Sequence, residues 1–162
     1  MELEHLKRLI APITTLISEN EIDETLEAKL NSDFAPSSGT FRDIEELCHA
    51  AIAAGWMCTQ GDAHRRFGRV LEPSAETGHL SVDVVDLTDV VGPHHRHPTG
   101  EVCMIMPVDD GALFDGHEAG WCVNRPGSAH HPTVSNGRAL VLYLLPDGKI
   151  EFTGQDLSLI HI

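Results

Sequence analysis

A chain of 162 residues with 41% hydrophobic content is long enough to bury a sizeable core. Its 25 acidic residues against 11 Lys and Arg give a formal charge of -14, which opposes a nucleic-acid surface and an anionic membrane surface and makes a small ligand the expected partner. No apolar run reaches the length of a membrane span, and Met1-Glu2-Leu3-Glu4 lacks the charge pattern of a signal peptide, so the expected location is the cytoplasm.

Leu3, Leu6, Ile10, Ile13, Leu16 and Ile17 recur at helical spacing, with Pro12 expected to kink or restart the helix. A second helix is predicted over residues 21–30, with Ile22, Leu26 and Leu30 on its apolar face. Residues 33–39 are rich in Ser, Pro and Gly and form a loop. After it Thr40 can cap a third helix through Ile44, Leu47, Cys48 and Ile52, ended by Gly55. Residues 1–56 are therefore expected to be a helical region whose Leu and Ile stripes cover one end of a barrel or form the contact of a homodimer.

From Phe67 onward the chain changes to short strands separated by Gly and Pro, at residues 69–71, 80–87, 101–107, 112–114, 120–124, 139–145 and 150–152. The expected fold over residues 57–153 is mainly β, a small antiparallel sandwich or jelly-roll barrel behind an N-terminal helical extension. Residues 154–162 do not continue the pattern and are expected to be a loose tail. Cys48, Cys58, Cys103 and Cys122 show no Cys-x-x-Cys pairing, so reduced thiols are the default, and Cys103 is expected to be a small buried hydrophobe.

Chemistry concentrates where the histidines do: six of the 11 lie between His94 and His131. In an extended strand His95 and His97 point to one face, and Glu101 can return to that face beyond the turn Pro98-Thr99-Gly100. A histidine from Pro126-Gly127-Ser128-Ala129-His130-His131-Pro132 would close one side of a metal and leave positions open for water or substrate. His94 and His131 are expected beside the ligands, where they can fix tautomers or carry protons, and His117, in a turn-like Asp115-Gly116-His117-Glu118, is expected on the surface.

The spacing His-x-His-x3-Glu followed by Pro-Gly-x-x-His resembles the two metal-binding motifs of the cupin superfamily, with His95, His97 and Glu101 on its first three ligand positions. The resemblance implies a cupin-like antiparallel β-barrel. Its fourth ligand falls on His130 when read through Pro126-Gly127-Ser128-Ala129-His130, the preferred register, and on His131 when counted from Gly120 through five residues to Pro126. Two glycines of the first motif depart from the pattern: Asp89 stands at one position, and the other arrives late, at Gly111.

A narrower likeness rests on longer segments. Ser81-Val82-Asp83-Val84-Val85-Asp86, Gly92-Pro93-His94-His95-Arg96-His97-Pro98, Phe114-Asp115-Gly116, Ala119-Gly120-Trp121, the His130-His131-Pro132-Thr133-Val134 segment and Ala139-Leu140-Val141-Leu142-Tyr143-Leu144-Leu145-Pro146 together resemble the 4-hydroxylaminobenzoate lyase family over about residues 20–153. This resemblance implies conversion of 4-hydroxylaminobenzoate, a small aromatic substrate, into 3,4-dihydroxybenzoate (protocatechuate) with release of ammonia, a step in nitroaromatic degradation. The reaction is redox neutral, so a divalent metal ion (zinc, iron or manganese) held by His95, His97, Glu101 and His130 need only act as a Lewis acid. Proton transfer falls to His94 or His131, or to Glu101.

The substrate carboxylate calls for a planar bidentate donor, with Arg125 the first choice and Arg96, Arg66 and Arg69 the others. Trp121, Tyr143, Phe114 and Met104 are candidates for lining a ring pocket, against a strong expectation that they pack in the core. Two other functional classes stay open: a zinc-bearing cupin sensor with a helical partner-binding region, and a metal-dependent aromatic-ring oxygenase.

Overall fold

In the computed structural model, which describes residues 2–154, three helices precede ten strands. The tail expected from residue 154 onward therefore lies almost wholly outside the described residues. Helix α1 (Glu2–Ser18) continues through Pro12 without the expected restart. Pro12 is on the exposed side, where water can hydrate the carbonyl that loses its intrahelical partner. Helix α2 (Glu24–Asp33) begins later than its apolar pattern suggested, because the Asp23 side chain accepts hydrogen bonds from the Thr25 and Leu26 amides and caps it. Helix α3 (Gly39–Ala54) is capped by Ser38 rather than Thr40 and ends, as expected, at Gly55 in the left-handed conformation.

The strands are β1 (Gln60–Gly61), β2 (Arg65–Leu71), β3 (Leu80–Val91), β4 (His95–His97), β5 (Glu101–Pro107), β6 (Leu113–Phe114), β7 (Gly120–Asn124), β8 (Ser128–His130), β9 (Thr133–Pro146) and β10 (Glu151–Phe152). They form a large antiparallel sheet ordered β1-β2-β3-β9-β5-β7, with β6 also on β9, and a small sheet ordered β10-β4-β8. The two sheets are not joined into a closed barrel. The architecture is a cupin-like sandwich, mainly β, with N-terminal helices.

Period-two alternation sorts the large sheet into two faces. Val82, Val84, Val102, Met104, Met106, Leu140, Leu142 and Leu144 share one buried cluster with Leu6, Ile10, Ile13, Leu26, Leu30, Phe41 and Ile44 of the helices. The helices thus cover the outer face of the large sheet, not one end of a barrel. The alternate residues, Cys103, Ile105, Cys122, Val141, Tyr143 and Leu145, form a second cluster on the inner face. Helix α2 also seals the edge strand β7. Asn31 exchanges hydrogen bonds with the Trp121 backbone at 2.9 and 3.0 Å, and Glu27 accepts the Val123 amide at 2.8 Å. Main-chain groups that an edge strand would otherwise present for pairing are thereby satisfied.

Asp86 is a buried carboxylate at 3% exposure on the helix-facing side, held by Arg138 at 2.8 and 2.9 Å and by Arg66. Burial pushes its pKa up, but the hydrogen bonds and charges of Arg138 and Arg66 outweigh this and hold it below the usual carboxylate range. A depressed folded-state pKa contributes stability that is present above the unfolded value of about 3.9 and is lost as pH falls through the folded value. Asp86→Asn is therefore expected to cost roughly 2 kcal/mol at neutral pH, less than a fully buried pair because both guanidinium groups can rehydrate. Urea unfolding at pH 7 and near pH 3.5 checks this: the gap between variant and parent should narrow at the lower pH. A pH-independent gap would show that the charge contributes nothing. Among the described residues no helix is long and apolar enough to cross a membrane.

Candidate metal centre

Strand β4 supplies two ligands because its alternation leaves His95 and His97 buried and Arg96 exposed between them. The chain then turns, with Gly100 at φ 94°, and β5 begins with Glu101, buried on the facing sheet. A Cβ on Gly100 would lie 2.7 Å from Ile22 Cγ2, so this tight return needs glycine for both space and backbone angle. His130 is the cross-strand partner of His95 in the β4–β8 pairing, which puts both rings on the same side of the small sheet.

The four side chains converge, with one donor atom from each lying within 4.8 Å of all the others. His95 Nε2 is 2.9 Å from His130 Nε2, His97 Nε2 is 3.2 Å from Glu101 Oε1, and His130 Nε2 is 3.5 Å from the same oxygen. Burial, reinforced by the neighbouring imidazoles, lowers the pKa of His95 to about 4 and of His97 to about 3, so both are neutral and able to coordinate at neutral pH. Burial also disfavours the charged form of His130, but its bonds to Asp115 and Glu101 outweigh this and raise it to about 9. A cluster that draws a proton onto His130 also provides the charge environment for a cation.

A metal fits these residues on independent grounds. Both ring nitrogens of His97 and Glu101 Oε2 are buried without a hydrogen-bond partner, and a cation would satisfy the carboxylate oxygen and one of the two nitrogens. The outer partners are already in place. Asp115 Oδ2 is 2.6 Å from His130 Nδ1, while its Oδ1 accepts the Thr133 amide at 2.8 Å. Glu101 Oε1 accepts from Asn124 Nδ2 at 2.9 Å and from Cys103 Sγ at 3.1 Å, leaving Oε2 free. Such contacts fix the ring tautomer and the carboxylate orientation that coordination requires. No expectation from sequence placed Asp115 or Asn124 at the site, and Cys103, two residues past Glu101, was expected chiefly as a small buried hydrophobe. The one available signal was Asp115-Gly116, a turn pair in which Asp115 takes a positive φ of 49°.

The family model for 4-hydroxylaminobenzoate lyase matches residues 8–152. The chain belongs to the 4-hydroxylaminobenzoate lyase family. A relative of that name from Pseudomonas putida is 31% identical over 156 residues, covering 86% of this chain and 89% of its own. Another, from Nocardioides sp. (strain LMS-CY), is 30% identical over 151 residues, covering 87% of this chain and 89% of its own. Among solved structures, a DMSP lyase from Ruegeria pomeroyi DSS-3 gives a TM-score of 0.41 at 17% identity, covering 74% of this chain and 72% of that one. The protein is accordingly an enzyme, a lyase of the 4-hydroxylaminobenzoate lyase family.

Beside the cluster, this lyase has a cleft of about 590 Å³ between the sheets, a size suited to a small ligand. Its walls include Phe67, Val85, Leu87, Leu145, Ile150 and Phe152, and its polar groups include Arg65, Arg69, Asp83, Tyr143 and His95. Tyr143 is where a pocket-lining residue was sought, and burial keeps its hydroxyl protonated. Phe114 also lies on the inner side, 6.3 Å from the His130 ring and 6.1 Å from that of Tyr143.

Other expected positions fall elsewhere. His94 and His131 lie together with ring centroids 4.8 Å apart, His94 Nδ1 2.5 Å from Thr153 Oγ1 and His131 Nδ1 3.3 Å from the Gly92 carbonyl. Neither lines the cleft. Each immediately neighbours a ligand in sequence, and alternation turns adjacent side chains to opposite faces. Arg96 pairs with Glu151 on the exposed side of β4 for the same reason. Arg125 is held at the surface by Glu24, outside the cleft. Trp121, opposite Met104, lies on the helix-facing side, edge-on to Phe41, with Nε1 donating to the Phe34 carbonyl at 2.8 Å. For Arg96 and Trp121 the placement follows from strand register, which sequence spacing shows only in part.

Proposed function

We propose that the protein is a metal-dependent lyase that converts 4-hydroxylaminobenzoate into 3,4-dihydroxybenzoate and ammonia. The observation that carries this reading is the convergence of three imidazoles and one carboxylate beside an apolar cleft that His95 lines, in a chain of this family. A divalent ion held by His95, His97, Glu101 and His130 would supply Lewis acidity toward the hydroxylamine oxygen. Zinc, iron and manganese are all compatible with these donors.

The atoms balance without an oxidant. Cleavage of the N–O bond releases one water. A second water adds to the ring carbon beside the nitrogen-bearing carbon, and a third hydrolyses the resulting imine, so that net one water enters and ammonia leaves. The chain has distinct work in this sequence. Phe67, Val85 and Leu145 enclose the ring and exclude bulk water. The protonated Tyr143 hydroxyl donates a hydrogen bond to the polar end of the substrate, and Asn124 and Cys103 hold Glu101 Oε1 so that Oε2 stays available to the metal. His94 and His131 pack on each other outside the cleft.

Metal-loaded protein incubated with 4-hydroxylaminobenzoate under strict anaerobiosis is expected to form protocatechuate and ammonia in equal amounts. The two products are followed together by chromatography and an ammonia assay. A requirement for oxygen would assign the site to an oxygenase, and binding without turnover would assign it to a sensor.

A further inference from the structure

We propose that Arg65 binds the substrate carboxylate and sets the preference of this enzyme for benzoates; the inference rests on the reaction proposed above. Among the described residues the arginines divide sharply by commitment. Arg66 and Arg138 are spent on Asp86, Arg96 on Glu151, and Arg125 on Glu24. Arg69 reaches the cleft, but its guanidinium already donates to Asp83 at 2.9 Å, to Glu72 at 3.1 Å and to the Gly148 carbonyl at 3.1 Å. It has little left to offer a ligand. Arg65 lines the same cleft as His95 and Tyr143, and among the described residues it makes no ion pair, the Asp62 carboxylate feeling its charge only at longer range. The nearby Asp62 accepts the backbone amides of His64 and Arg65.

The placement of the free guanidinium follows from the strand. Arg65, Phe67 and Arg69 alternate onto the inner face of β2, and the Arg65 guanidinium lies 5.4 Å from the centroid of the Phe67 ring. Stacking on an aromatic face orders the side chain before a ligand arrives, which lowers the entropic cost of a bidentate carboxylate contact. A benzoate needs a cation at one end, apolar walls for the ring, and the ligand cluster at the other. Arg65, the Phe67 and Val85 walls, and His95 supply these in one cleft. Lysine would retain charge but lose the planar fork.

The test uses the full-length, metal-loaded protein and two pairs of probes. Steady-state rates are compared for 4-hydroxylaminobenzoate and phenylhydroxylamine, which lacks the carboxylate. Calorimetric binding is compared for 4-aminobenzoate and aniline. Arg65→Ala is expected to lower the kcat/KM ratio of the carboxylate substrate to phenylhydroxylamine by about 30-fold, chiefly through KM, and to weaken 4-aminobenzoate by a similar factor. Arg65→Lys should recover part of each loss, with metal content unchanged in both variants. A ratio that Arg65→Ala leaves within about threefold of the parent overturns the inference, as does a collapse produced by Arg69→Ala instead. If the unaltered protein turns over neither hydroxylamine, the proposed reaction fails, and the 4-aminobenzoate titration alone then decides the role of Arg65.

Discussion

His97→Ala is expected to strip the protein of its metal and abolish turnover while leaving the helices intact. The ring is fully buried, and its two nitrogens have no hydrogen-bond partner among the described residues, so one of them is free to ligate a cation. Loss of an outer partner of a metal ligand commonly weakens retention about 10- to 100-fold, and loss of a ligand itself should exceed that. Removing Lewis acidity worth several kcal/mol should lower kcat/KM by about 1000-fold or more. His95→Ala should behave alike, because His95 faces His130 across the β4–β8 pair. Elemental analysis after dialysis, with far-ultraviolet circular dichroism as the control for folding, measures both halves. The helical core is on the opposite face of the large sheet and should hold its signal. Full metal occupancy in both variants would remove the cluster as a metal site.

The second large effect separates two adjacent histidines. His130→Ala should lose metal as His97→Ala does, whereas His131→Ala should retain it and keep activity within about tenfold of the parent. His130 reaches the other three ligands, while His131 turns toward His94 and the Gly92 carbonyl. Asp115→Asn should fall between them, with metal retention weakened about 10- to 100-fold, because the carboxylate that fixes the His130 ring at 2.6 Å is replaced by a neutral amide. Metal analysis of the three variants under one dialysis regime orders them. Loss confined to His131→Ala would reverse the assignment of the fourth ligand.

Three of the four residues of the candidate metal cluster were legible from local sequence alone. A two-residue step along a strand puts His95 and His97 on one face, and a Gly-containing turn brings Glu101 back within reach, so no distant part of the chain is needed to define them. The same locality made the helices legible through their Leu and Ile spacing and the end of α3 through Gly55. Choosing between His130 and His131 required the register of β8 on β4, a hydrogen-bonding relation between segments that neither segment specifies by itself. The face of Trp121 was decided in the same way, by pairing with Met104, and the helices pack on the face of the large sheet that carries Val82, Met104 and Leu142. Arginines were the least legible residues, since every one carries the same charge in sequence. Only the folded chain decides which guanidinium meets a carboxylate, as Arg125 meets Glu24 and Arg66 meets Asp86, and which one, Arg65, faces a cleft without an ion-pair partner.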